Sequence, residues 1–140
     1  MTQDQYIKLG RWLTLSGFFS LMAGLYAWHL WLNPAPKHLI SIIIFLQLGP
    51  LMLPLFGLLN GKLYTHAWSM YVAIFYFVIG VWYVGHPDER MIGLYVIFTS
   101  LTFFLGTVFY TRFMGKKMQQ LNATAADASA DIAADDEAKK

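Results

Sequence analysis

Residues 91–110 read MIGLYVIFTSLTFFLGTVFY, a run of twenty residues without Asp, Glu, Lys or Arg. At a rise of about 1.5 Å per residue, a helix of about 20 residues crosses a hydrocarbon layer of about 30 Å. A soluble helix of that length needs a polar face, and this run has none. The run therefore predicts a transmembrane helix.

Three further stretches share this character, at residues 13–32, 39–59 and 67–85, and none of them contains an Asp, Glu, Lys or Arg. The connections between the four stretches have six, seven and five residues, which is too short for a separate soluble domain. Only 13% of the chain is charged, against about 25% in soluble domains. The fold class predicted for residues 1–121 is an all-α, four-helix transmembrane bundle of antiparallel hairpins.

The basic residues predict the orientation of the chain in the membrane. Four spans place both termini and the middle connection on one side. That side holds six basic residues, whereas the other side holds two, Lys37 and Arg90. Because short loops rich in Lys and Arg stay in the cytoplasm, we expect a multi-pass protein of the bacterial inner membrane with both termini cytoplasmic. The six basic residues are Lys8, Arg11, Lys62, Arg112, Lys116 and Lys117.

The chain changes character twice after the fourth stretch. Residues 111–121 alternate basic and apolar side chains at helical spacing, which predicts a basic amphipathic collar on an anionic membrane surface. Residues 122–140 are rich in Ala and Asp and contain no aromatic residue. They can bury little apolar surface, so we expect a disordered tail.

Small residues indicate where helices approach one another. In the first stretch Ser16, Ser20 and Gly24 recur at steps of four, and Gly57 and Gly61 form a GxxxG pattern at the end of the second. Such patterns let helix backbones come close together. They predict packing contacts within the bundle or between two copies of it.

The second stretch contains two prolines near its middle, Pro50 and Pro54, with Gln47 one turn earlier. Each proline removes a backbone donor and bends the helix, so the carbonyls of Leu46 and Pro50 need another partner. A structural kink is the preferred interpretation, with Gln47 facing the bundle. The alternative is a functional broken helix of the kind that transporters use.

Histidine is the only ionisable residue type near a span interior. His29 lies near the outer end of the first stretch, and His86 and Asp88 lie in an outer connection. If these segments converge, imidazole and carboxylate groups form a site for a metal ion or a quinone headgroup. No spacing within one helix supports such a site, so we predict no bound cofactor or metal, and no catalytic motif is evident.

A resemblance adds to this interpretation. The pattern P-L-x-G-L-L-x-G-x-x-Y-T-x-A-W from Pro54 to Trp68, followed by Y-F-x-x-G-V, resembles a family of small predicted inner-membrane proteins of proteobacteria, classed as a domain of unknown function. The resemblance covers about residues 12–113. It implies a four-helix inner-membrane protein and supplies no activity, cofactor or partner.

Two classes of function follow. The first is a non-enzymatic accessory or scaffold that binds another membrane protein or a second copy of itself through the inner turn, residues 57–68. The second is a lipid- or quinone-handling redox or transport component that uses the outer histidines or the kinked helix. The expected partners are the lipid bilayer and another membrane protein or a second copy of the chain, and we expect no nucleic acid. The candidate interaction and structural residues are Gly57, Gly61, Tyr64, Thr65, Trp68, Gln47, Pro50 and Pro54, and the candidate outer site is His29, His86 and Asp88.

Overall fold

A computed structural model describes residues 2–32 and 37–140 of the chain, and within these ranges every regular element is helical. Residues 33–36 of the first predicted connection, and the side chains of Ile40 and Leu48, lie outside the described part. The elements are α1 (Gln3–Ala27), which continues into a π-helical turn (Trp28–Leu32), α2 (Ile40–Leu59), α3 (Leu63–Val84), a 3₁₀ turn (Pro87–Glu89) and α4 (Arg90–Ala138).

Among the described residues, three continuous helical stretches are long and apolar enough to cross a membrane: Gln3–Leu32, Leu63–Val84 and Pro87–Ala138. The second helix, α2, is bent by 43° between Ser41–Gln47 and Gly49–Leu59, and it makes a fourth span if the two segments are counted as one. The chain is therefore an all-helical protein with three or four candidate spans.

Three helices extend beyond the apolar stretches that predicted them. The third helix starts at Leu63, four residues before residue 67. The first helix starts at Gln3, ten residues before residue 13, and just before it the backbone N–H of Thr2 donates to the Gln5 side chain at 2.9 Å. The fourth helix does not end near Tyr110 but continues to Ala138. The structure thus differs from the expected disordered tail, because alanine-rich sequence has high helix propensity and extends a helix already nucleated. The residues beyond Lys117 are exposed throughout.

The core is built around α4, which packs against α1 on one side and α3 on the other. The helices α1 and α4 are antiparallel, because Asp4 lies beside Lys117 and Ser20 lies beside Tyr95. Glycines make the close approach possible. A Cβ atom on Gly10 would lie 2.7 Å from the backbone nitrogen of Tyr110, and one on Gly17 would lie 2.7 Å from that of Phe103.

The pair α3 and α4 is also antiparallel, and it crosses at two glycines. A Cβ atom on Gly93 would lie 2.9 Å from the carbonyl oxygen of Gly80, so neither position has room for a side chain. The bent helix α2 is peripheral, because its contacts with α1 and α3 are far fewer than those that α4 makes. One face of it, including Phe45, Leu53 and Phe56, is exposed.

Candidate functional site

The turn between α2 and α3 has a defined geometry. The N–H of Lys62 donates to the carbonyl of Gly57 at 3.0 Å, and the N–H of Gly61 donates to that of Leu58 at 3.1 Å. This pair of bonds is the Schellman arrangement that ends a helix with a left-handed residue. Gly61 supplies that residue with φ +66, the only positive φ among the described residues. Glycine adopts this conformation without the steric cost that a side chain brings.

Side chains from the two flanking helices hold this turn in place. The guanidinium of Arg11 on α1 donates to the carbonyl of Leu59 at 2.8 Å. The hydroxyl of Tyr110 on α4 donates to the carbonyl of Gly61 at 2.7 Å. The carbonyl of Leu59 belongs to the last turn of α2, where carbonyls lack intrahelical partners, and that of Gly61 belongs to the turn itself. The turn is therefore tied to α1 and α4 as well as to its own helices.

A buried histidine completes this region. The Nδ1–H of His66 donates to the carbonyl of Lys62 at 3.0 Å, and its ring stacks on that of Tyr110 at a centroid distance of 3.9 Å. Its Nε2 is buried without a hydrogen-bond partner among the described residues. Sequence reasoning did not select Arg11, His66 or Tyr110 for this site. His66 lies in the first turn of α3, whereas Arg11 and Tyr110 lie within α1 and α4, and only the packing of three helices brings them together.

The predicted residues of the inner turn divide into two groups. Gly57 and Thr65 pack together across the hairpin, and a Cβ atom on Gly57 would overlap the Thr65 side chain. In contrast, Tyr64 and Trp68 point outward, and 81% of Tyr64 is exposed. The turn therefore combines an internal contact with an exposed aromatic pair.

That exposed pair is the start of a longer surface on α3, which we call the aromatic face. Its residues recur at steps of four and three, the spacing of residues along one side of a helix that faces a neighbouring helix. The side of α3 that contains Thr65, Tyr76 and Tyr83 contacts α2, and the side that contains Gly80 contacts α4. The aromatic face is formed by Tyr64, Trp68, Tyr71, Phe75, Val78 and Trp82, all of them exposed. Its first half, to Tyr71, is a third side, whereas Phe75, Val78 and Trp82 border a cavity of about 400 Å³ between α3 and α2.

The bend in α2 is held by two tyrosines of α3. The side-chain amide of Gln47 donates to the hydroxyl of Tyr83 at 2.7 Å, and the hydroxyl of Tyr76 donates to the main-chain carbonyl of Gln47. A neighbouring helix thus supplies the missing donor, as expected near a proline kink. It supplies the donor to Gln47, however, rather than to Leu46 or Pro50. The bend lies between Gln47 and Gly49, before the first proline.

An apolar cavity of about 570 Å³ lies beside this bend. Gly49 and Pro50 form part of its wall, and a Cβ atom on Gly49 would contact nothing within 4 Å. Pro54, one turn further along, is buried. The remaining lining residues are Tyr26, Ile44, Phe45, Leu46, Met52 and Leu53.

The predicted outer site is only partly assembled. His86 and Asp88 line one cavity of about 500 Å³ together with Trp28 and Trp82. His29 does not line this cavity but is buried in the π-helical turn. Across residues 2–32 and 37–140, no group of three His, Asp or Glu residues is arranged to hold a metal ion.

The basic residues gather at one end of the helices, which we call the basic end. It contains the start of α1, the α2–α3 turn and the part of α4 beyond Tyr110, as the Arg11–Leu59, Tyr110–Gly61 and Lys117–Asp4 contacts establish. All six basic residues on the richer side of the sequence therefore lie at or near the same end. Lys117 pairs with Asp4 at 2.7 Å, and the ring of Phe113 stacks on that of Tyr6 at 4.8 Å.

These features define an integral membrane protein: long helices without charge in their apolar stretches, close glycine contacts, and charged groups at their ends. A family described as predicted membrane protein (DUF2069) matches residues 13–115, and the chain belongs to this family, whose function is unknown. No curated protein and no solved structure shows significant similarity to the chain.

Proposed function

We propose that the protein crosses the bacterial inner membrane four times as an antiparallel helical bundle, with both termini in the cytoplasm. The gathering of six basic residues at one end supports this orientation, because basic segments are retained on the cytoplasmic side. The exposed rings of Trp12 and Tyr64 at the basic end, and of Trp31 and Trp82 at the other, are consistent with the two membrane interfaces.

Within that frame, we propose a non-enzymatic accessory or scaffold that binds a transmembrane helix of another membrane protein. The aromatic face of α3 is the binding surface, and the tethered inner turn fixes the position at which it begins. The spacing of this face suits the packing of side chains against a second helix at a small crossing angle. This role extends the accessory function that the sequence suggested for the inner turn.

One residue carries the argument. Tyr71 lies about 12 Å along α3 from its first residue, at the rise of an α-helix, and 72% of its surface is exposed. Within the described residues its hydroxyl has no hydrogen-bond partner. A phenol hydroxyl facing only hydrocarbon loses its hydrogen bonds, which is costly. A partner helix that offers a polar side chain or a free carbonyl removes that cost.

Site-specific photo-crosslinking in intact cells tests this proposal. A photoreactive phenylalanine analogue replaces Tyr71 in one variant and Phe98 of α4 in a matched control. Phe98 is also aromatic, also 72% exposed and also about 12 Å from the first residue of its helix. We expect Tyr71 to yield one discrete protein adduct, identified by mass spectrometry as a different membrane protein, and Phe98 to yield lipid adducts alone.

Two outcomes contradict the proposal. Lipid adducts alone at both positions show that the aromatic face contacts the bilayer. An adduct with the mass of two copies shows a homodimer rather than a distinct partner.

The cavity beside the α2 bend favours a second candidate function, the binding of a long apolar chain such as the isoprenoid tail of a quinone. Its wall is almost entirely apolar, and Gly49 leaves it unobstructed. Replacing Gly49 with Leu fills this space without touching the aromatic face. Co-purification of an isoprenoid lipid with the wild type, lost in Gly49→Leu, supports this candidate; equal lipid content in both proteins contradicts it.

A further inference from the structure

A second surface at the basic end has the chemistry of a ligand site. A cavity of about 380 Å³ is lined by Lys8, Arg11, Trp12 and Leu15. These residues follow one another along a single side of α1, at steps of three, one and three. Both basic side chains are exposed, and 74% of Trp12 is exposed. Along α1 the lining of the cavity changes from the cations Lys8 and Arg11 to the indole of Trp12 and then to the aliphatic side chain of Leu15.

The two cations remain available to an anion. The Asp4 carboxylate, one turn before Lys8, forms its ion pair with Lys117 at 2.7 Å and only a weaker, longer-range attraction with Lys8. Arg11 donates one N–H group to the carbonyl of Leu59. A guanidinium has five N–H donors, so this bond fixes the side chain and leaves donors for a second acceptor. Arginine held in this manner loses less conformational freedom when it binds a phosphate.

The order of the residues indicates what kind of anion fits. Leu15 lies about 6 Å further into the membrane than Arg11, at the rise of an α-helix, and the exposed ring of Phe19 follows one turn later. A free phosphate uses only the two cations. An anionic phospholipid places its phosphate between Lys8 and Arg11, its glycerol beside Trp12 and its acyl chains along Leu15 and Phe19.

We propose that this side of α1 is a binding site for an anionic phospholipid, with a net negative headgroup held by Lys8 and Arg11. Zwitterionic lipids are bound more weakly, because their own ammonium group competes for the phosphate and cancels the net charge. The inference rests on the membrane location of the chain and is independent of the scaffold role.

Native mass spectrometry of the full-length protein in mild detergent tests this site. The probes are dioleoyl phosphatidylglycerol and dioleoyl phosphatidylcholine, added separately at equal concentration. We expect the wild type to prefer the anionic lipid, and Lys8→Gln/Arg11→Gln to lose about fivefold in affinity for each charge removed, the usual strength of one basic residue near an anionic surface. The matched control is Arg112→Gln/Lys116→Gln, which removes the same charge from the same end but lines no part of the cavity.

A second variant guards against a folding effect, because Arg11 also holds the α2–α3 turn. Lys8→Gln alone leaves the Arg11–Leu59 bond intact and is expected to lose about fivefold by itself. The proposal is overturned if the wild type binds both lipids equally, or if the control double variant loses as much affinity as the site variant. It is also overturned if inorganic phosphate displaces the lipid at matched concentration, since the apolar part of the site then contributes nothing.

Discussion

The hydroxyl of Tyr110 donates to the carbonyl of Gly61 at 2.7 Å and joins the fourth helix to the turn between the second and third. The same tyrosine ring stacks on His66, and its backbone passes directly beside Gly10 of α1. Tyr110 is therefore the residue at which all four helices are connected at the basic end.

Replacing Tyr110 with Phe removes the hydrogen bond and keeps the ring. We expect the free energy of unfolding to fall by about 0.5–1.5 kcal/mol, the usual net value of one hydrogen bond. Tyr64→Phe is the matched control, because that residue is exposed and forms no such bond to the turn. Unfolding in a mixed detergent, followed by tryptophan fluorescence, measures both. Equal stability of the two variants contradicts a structural role for the Tyr110 hydroxyl.

Gly61→Ala introduces a side chain at a left-handed residue. A non-glycine residue in this conformation costs about 1–2 kcal/mol, and the new Cβ atom would lie 3.2 Å from the Tyr110 hydroxyl. Gly115→Ala, at an α4 position with nothing within 4 Å, is expected to be neutral or slightly stabilising. Denaturant midpoints of the two variants provide the comparison. If Gly61→Ala unfolds at the wild-type midpoint, the turn has another conformation.

Gly17→Ala tests the close contact between α1 and α4. A Cβ atom there would lie 2.7 Å from the backbone nitrogen of Phe103, so the helices must separate along their length. Overpacking of this kind costs about 1–3 kcal/mol. Gly49→Ala in α2 is the matched control, since that position opens onto free space. Thermal aggregation in detergent distinguishes them, and an identical aggregation temperature would argue against the α1–α4 interface.

The orientation proposal predicts the behaviour of topology reporters. A reporter active only in the periplasm should be silent when fused after Leu121 and active when inserted beside Pro87. The physical basis is the excess of basic residues at the basic end. The opposite pattern reverses the orientation, and equal signals at both sites change the number of spans.

Deleting residues 122–140 should leave the stability of the membrane domain unchanged. The structure shows these residues as an exposed helix that extends α4 away from the other helices. A helix without tertiary contacts contributes little to global stability. Circular dichroism should lose the helical signal of the tail, while the unfolding midpoint stays the same. A lowered midpoint reveals a contact between the tail and the membrane domain.

Sequence reasoning recovered the parts of the molecule that depend on local chemistry. Long uncharged stretches indicated the helices, because hydrocarbon excludes charge. The second apolar stretch ended at residue 59, which is also the last residue of α2. The main difference between expectation and structure was the tail, which was expected to be disordered and is helical. Composition indicates whether a segment can bury apolar surface, but it says less about whether a preceding helix continues through that segment.

The sequence by itself determined which apolar stretches form helices, and it assigned the basic residues to one end. Only the tertiary structure decided which side of each helix is internal. Ser20 and Gly24 of the predicted small-residue ladder do face Tyr95, whereas Ser16 is exposed and bonds to its own helix. Gly17 has no room for a side chain, whereas Gly49 has room for one. In a membrane the outward side of a helix is as apolar as the inward side, so hydrophobic periodicity cannot distinguish them. The meeting of Arg11, His66 and Tyr110 follows from helix packing, which no local pattern in the sequence encodes.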